Sequence, residues 1–325
     1  MNKVFNLFNN ISFVNHGSGH SEPAEGFLDF IVAWNFLHIN SINGIISLFF
    51  VSSIVFIYVS GVIRLSKTNF INPLKVTLIS IALFLLILVL EGPIDFYAEE
   101  MFFIHMIQHL TLMVIIAPLL LSANAMPIFI WGTPKKMRSV LSKPFAGNSF
   151  SKKILTIITR PRYSLLLYVL NLYLWHIPFF YNLTLSSDTF HFINHALFVF
   201  MALLLWWPII GPAPVRTNLT IPQKIVYVLV AVTPSAALAA FITLSGNPIY
   251  NYESTPLHWN MLSHGEDQTW GGLICGFLET FYFSAFLQLC FLNGQSKKKV
   301  LPCLKWITNE IFFNCFYIAC LMFWF

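Results

Sequence analysis

The stretch Met101–Leu121 constrains this chain more than any other. MFFIHMIQHLTLMVIIAPLLL is long and apolar enough to cross a bilayer, yet it carries His105, Gln108 and His109 in its first half. Residues four apart on a helix lie one above the other, so the two imidazoles share a face. Ionisable groups inside a membrane helix are costly and point to a functional site. The remaining chain has to supply the frame that places this pair.

That frame is a membrane protein. Only 10% of the 325 residues are charged and 57% are hydrophobic, against roughly 25% charge in a soluble domain. Seven apolar runs reach the ~20 residues a spanning helix needs: 43–65, 73–92, 101–122, 163–181, 191–210, 224–245 and 271–293. An eighth stretch, 305–325, contains Asn309, Glu310 and Asn314 and reads as a span, a surface helix or an atypical tail. No signal peptide is evident near the N-terminus, and the first span can serve as the insertion signal.

Charge sets the expected topology. Lys and Arg fall after the first, third, fifth and seventh spans, with the densest run between Lys135 and Arg162, while the alternate loops carry none. The positive-inside rule then puts the N-terminus outside and residue 297 inside, which an odd number of spans satisfies. The expected fold class is therefore all-α, a polytopic membrane helix bundle of seven transmembrane helices with a possible eighth. It divides into an extracytoplasmic segment 1–42, a seven-helix domain 43–295, and a basic stretch with an apolar tail over 296–325. Most acids, including Asp95, Glu99, Glu100, Asp188, Glu266 and Asp267, fall on the outer side, where an anionic rim would concentrate a cation. Ordinary loop solvation explains the same pattern.

All ten histidines map to the outer half under this topology. His105 and His109 open the third span, His176 ends the fourth, and His191 and His195 open the fifth. A single histidine in an apolar helix is ordinarily a hydrogen-bonded core residue. Two i,i+4 pairs at similar depth with His176 at the same level favour a metal site, because imidazole suits Cu, Zn, Fe and Ni. Met101, Met106 and Met113 could add thioether ligands for Cu(I) but read more simply as packing. Glu279, an acid well inside a span, fits equally an ion path and an interhelical hydrogen bond. Gly271-Gly272 predicts a close helix approach, and Trp206-Trp207 an aromatic belt. The five cysteines form no CxxC pair and read as small buried hydrophobes. HExxH, GxxxxGK[ST] and GxSxG signatures are missing from the sequence.

With these residues in view, the chain resembles the CtaG family of bacterial cytochrome c oxidase assembly factors. The likeness runs through GPIDFYAEE at 92–100, HMIQHLTLMVIIAPLLL at 105–121, LWHIPFFYN at 174–182 and HFINHALFVFMALLLWWPIIGP at 191–212. It continues with PIYNYE at 248–253 and DQTWGGLI at 267–274, covering roughly 45–295. The resemblance implies a multi-pass protein of the bacterial cell membrane that assists maturation of a caa-type oxidase at a copper step. Its partners are then the oxidase subunits and the lipid bilayer, with no nucleic acid. It also implies that His105, His109, His176, His191 and His195 are the metal-binding set, with Asp95, Gln108, Asp267 and Gln268 behind them. Asp267 is expected to orient a ligand imidazole by accepting its other N–H.

Three functional readings follow. The first is a non-enzymatic assembly factor that binds copper on its outer face. The second is a haem protein with axial histidines, which the scarcity of outer-face cations for propionates disfavours. The third is a di-metal membrane oxidoreductase using the HxxxH pairs, with iron as the alternative metal, although the HxxHH boxes of such enzymes do not occur here.

Overall fold

The computed structural model describes residues 34, 42–68, 71–145, 147, 149–252 and 262–277. The first segment with His16, His20 and His38, the loop with His258, the span beyond 277 with Glu279, and the tail lie outside the described residues. What is described is 81% helix with no strand, as the apolar runs predicted.

In chain order the elements are α1 (Ile42–Ser66), α2 (Pro73–Leu90), a short α3 (Pro93–Ala98) and α4 (Phe102–Ser122). Three short helices follow: α5 (Met126–Gly132), α6 (Lys135–Ser142) and α7 (Phe150–Ile158). Then come α8 (Pro161–His176), α9 (Pro178–Ser186), α10 (Asp188–Ile210), α11 (Ile221–Leu244) and α12 over 264–277. Five of these, α1, α2, α4, α10 and α11, are long and apolar enough to cross a membrane. The expected fourth span is not straight. α8 and α9 together pass the same test but are bent by 70°, because Pro178 pushes Ile177 out of the helical region to φ −66° and ψ 128°. The seventh expected span begins within α12 and continues beyond the described residues.

α4 is the central helix: 72% of its spanning window is buried, against 11% for α1. One face, with Phe102, Met106, Leu110, Met113 and Ala117, joins the larger core formed with α8, α10 and α11. The opposite face, with Leu112, Ile116 and Leu119, packs on Leu78, Ile79 and Ala82 of α2. A helix apolar all round is one buried on all sides, and the methionines of α4 serve this packing. Thr111–Ile116 is a π-helical turn that begins two residues after His109. Such turns loosen the backbone ladder, often beside functional residues. Here the indole N–H of Trp206 donates to the Met113 carbonyl at 2.8 Å, so Trp206 is a buried core residue rather than part of a lipid-facing belt.

At the opposite end from the histidines, α1 and α5 meet through Gly61 and Gly132. A Cβ on either would overlap a backbone carbonyl of the facing helix, Ile128 or Ile57. One guanidinium nitrogen of Arg64 donates to the carbonyls of Trp131, Gly132 and Thr133 at 2.8, 3.0 and 2.6 Å, closing the C-terminus of α5 with a positive charge. Gly132→Val is therefore expected to destabilise the protein by about 3 kcal/mol or more, since backbone cannot yield as a side chain can. The unfolding temperature in detergent checks this, with Gly246→Ala, where a Cβ meets nothing within 4 Å, as the silent control.

Candidate metal centre

The helix that carries His105 and His109 begins after an extended Met101, φ −131° and ψ 119°, whose side chain offers no cap. Its first amides have no intrahelical partner. The carboxylate of Asp267, on α12, supplies one: Phe102 N–H donates to Oδ2 at 2.7 Å and Phe103 N–H to Oδ1 at 3.1 Å. Gly271, one turn further along α12, lets that helix approach so closely that a Cβ would strike the Phe102 ring, and Gly272 fits against Thr243 and Ala239 of α11. The close approach expected of this glycine pair is thus realised. Asp267 therefore caps α4 from a helix more than 160 residues away in sequence, and does not take the expected role of accepting from an imidazole.

Ser263 and Glu266 close the start of α12 in the same manner. The Ser263 N–H and hydroxyl donate to the Glu266 carboxylate at 2.7 and 2.8 Å, holding that carboxyl below its usual range. Gln268 accepts from Ile249 N–H at 2.6 Å and donates to Asn247 O at 3.3 Å, pinning the 245–252 segment to α12. Asp267 and Gln268 therefore build the walls of the centre.

Within those walls four imidazoles cluster. His105 and His109 face each other with Nε2···Nε2 of 2.8 Å and ring centroids 4.4 Å apart. From α10, His195 lies 5.2 Å from His109 and 5.8 Å from His105, and His191 lies 4.3 Å from His195 and 5.5 Å from His105. His105, His109 and His195 are 1%, 3% and 6% exposed, and His191 is half-buried. One ring nitrogen from each of His105, His109 and His195 falls within 4.8 Å of the others. Two nitrogens bound to one ion at about 2.0–2.1 Å sit roughly 3 Å apart, close to the spacing of the first pair.

Hydrogen bonding fixes the tautomer of His105. The hydroxyl of Tyr252 donates to the Ala98 carbonyl at 3.2 Å, an acceptor only. The Tyr252 oxygen then accepts a hydrogen bond from the Tyr181 hydroxyl, 3.0 Å away, and another from His105 Nδ1–H at 3.3 Å. Burial pushes the Tyr252 phenol well up, so it keeps its proton. His105 Nε2 is left as an acceptor aimed at the cluster, where it takes the hydrogen bond from His109 Nε2, the arrangement of a ligand whose other nitrogen is held from outside. Buried nitrogens His109 Nδ1, His191 Nε2 and His195 Nε2 have no hydrogen-bond partner among the described residues. Such atoms are costly in a protein interior unless something binds them. Tyr252→Phe, which removes the restraint on His105, is expected to weaken metal binding by about 10-fold with a full complement of ligands retained; competitive metal titration measures it.

His176 stands apart. Its Nδ1–H donates to the Leu172 carbonyl at 2.7 Å, and its ring packs on Tyr181 and Phe198, 6.4 Å from each. It is at the right depth and outside the groups that could close on one ion. Gln108 donates through one nitrogen to Val89 O at 2.8 Å and to Asp95 Oδ1 at 2.6 Å, tying Asp95 to the same helix as the first pair. Tyr181, Tyr250 and Tyr252 are the neighbours that sequence reasoning missed. They lie in the LWHIPFFYN and PIYNYE stretches and stack, with Tyr181 and Tyr250 centroids 3.9 Å apart.

The spans and the buried imidazoles together define a polytopic helical membrane protein built around a histidine cluster. Its particular family follows from the whole chain. The family of cytochrome c oxidase caa3 assembly factors, Caa3_CtaG, matches residues 56–294, and the chain belongs to it. Comparison with curated proteins and with solved structures returns no match.

Proposed function

We propose that this protein is a non-enzymatic assembly factor that binds Cu(I) between His105, His109 and His195, on the extracytoplasmic side of the bacterial cell membrane, and passes it to a cytochrome c oxidase subunit. The observation that carries the reading is the convergence of buried ring nitrogens from α4 and α10: one from each of His105, His109 and His195 lies within 4.8 Å of the others, and His109 Nδ1 and His195 Nε2 have no hydrogen-bond partner among the described residues. Three imidazoles with no carboxylate in the set suit copper, for which imidazole is a favoured ligand. Copper here is cargo, and a three-ligand site leaves a position open for exchange. The Lys/Arg distribution supports the outward orientation. A haem reading has less support, because His105 and His109 project from one helix with nitrogens 2.8 Å apart, side by side rather than on opposite faces of a macrocycle.

Anaerobic addition of Cu(I) to the detergent-purified protein, followed by metal analysis and a visible spectrum, tests the reading. Near-stoichiometric copper without a Soret band is expected, and His105→Ala/His109→Ala is expected to abolish it. Unchanged copper content in that double variant sinks the proposal, and a Soret band replaces it with haem binding.

A further inference from the structure

We infer that Asp95, His191 and His195 form a second cation position beside the first, and that this one takes a divalent ion. The inference rests on the copper reading above only in so far as both positions share His195. A carboxylate oxygen of Asp95 and one ring nitrogen each of His191 and His195 lie within 4.8 Å of one another. The His191 Nε2 and His195 Nε2 atoms are buried and have no hydrogen-bond partner among the described residues.

The two sets differ in charge. The first offers three neutral rings and sits entirely inside the bundle. The second contains an anion, held in place by the 2.6 Å bond from Gln108 to Asp95 Oδ1, and includes the half-buried His191. Asp188, three residues before His191 in the first turn of the same helix, puts a further carboxylate on that face. A carboxylate with two imidazoles is a donor set that stabilises a 2+ ion, whereas the three-imidazole set brings no anionic ligand of its own. His195 serves both sets, so one ion at a time occupies the pair. Two cations a few Å apart in a buried site would repel strongly. A divalent ion in the second position therefore excludes Cu(I) from the first.

Zn(II) alone, added to the full-length protein in detergent, is the probe. Wild type is expected to bind about one Zn(II), with an oxygen as well as nitrogens in the shell seen by X-ray absorption. His105→Ala/His109→Ala loses Cu(I) but keeps Zn(II), while His191→Ala weakens Zn(II) by about 10-fold or more. Preloading wild type with Zn(II) lowers Cu(I) uptake to below about half. An all-nitrogen shell on wild type, or Zn(II) affinity unchanged by His191→Ala, overturns the inference without touching the Cu(I) site, and neither measurement depends on the double variant folding. Simultaneous binding of one ion of each kind overturns the shared use of His195. Wild type that binds neither metal overturns this inference and the copper reading together.

Discussion

His195→Ala is expected to remove more metal binding than any other single substitution in the chain. His195 is the one imidazole common to both groups of potential ligands, His105–His109–His195 and Asp95–His191–His195, so among the described residues neither set survives its loss intact. Removing a partner that merely orients a ligand costs about 10–100-fold in affinity, and loss of a ligand from both sets should exceed that for Cu(I) and Zn(II) alike. The ring is 6% exposed and faces His105 and His109. Its truncation also opens a cavity, which at a buried position costs about 1–3 kcal/mol. His195→Gln keeps polar bulk and separates the two effects: metal should still be lost while the unfolding temperature recovers. His176→Ala is the comparison within the same bundle. His176 belongs to neither group of converging ligand atoms, so the variant should retain near-stoichiometric copper. Equilibrium dialysis with metal analysis measures all three, and a His195→Ala protein with wild-type copper content would rule out the shared-ligand geometry.

The sequence disclosed the parts of this arrangement that depend on local period. Apolar runs of spanning length marked α1, α2, α4, α10 and α11, and i,i+4 spacing placed His105 above His109 and His191 above His195. Loop charge put both pairs at one level, and the structure brings them within ring-contact distance. Gly271-Gly272 was legible because small residues have few other uses at a helix crossing. What stayed hidden depends on partners distant in the chain. The role of Trp206 needed the π turn of α4, which frees the Met113 carbonyl, and nothing in TLMVII announces a change of pitch. The break at Ile177 was signalled by Pro178 but its 70° size was not, since the angle is set by what α9 packs against. The tyrosines that shape His105 sit in two separate stretches, and their hydroxyl network exists only once α9 and the 245–252 segment are folded together.

Asp267 is the clearest case of a residue whose place was legible and whose task was not, and Asp267→Ala is expected to be the most destabilising substitution in the described chain. Its carboxylate is 1% exposed and takes both leading amides of α4. Removing it leaves two buried N–H groups unpaired, each costing roughly 1–3 kcal/mol, and withdraws a negative charge from a helix N-terminus where it is favourable. The expected loss is about 3–5 kcal/mol, seen as a large fall in unfolding temperature. Asp267→Asn retains one acceptor oxygen and should lose about half as much. Because His105 begins only three residues past Phe102, fraying of this turn also disturbs the first imidazole, so copper affinity should fall in step with stability across the two variants. The two quantities decide the role of the carboxylate. If Asp267→Ala lost copper with its unfolding temperature unchanged, the carboxylate would be acting on an imidazole or on the ion. If stability and affinity decline together, Asp267 is the cap that holds α4, and the metal centre depends on it through the helix it anchors.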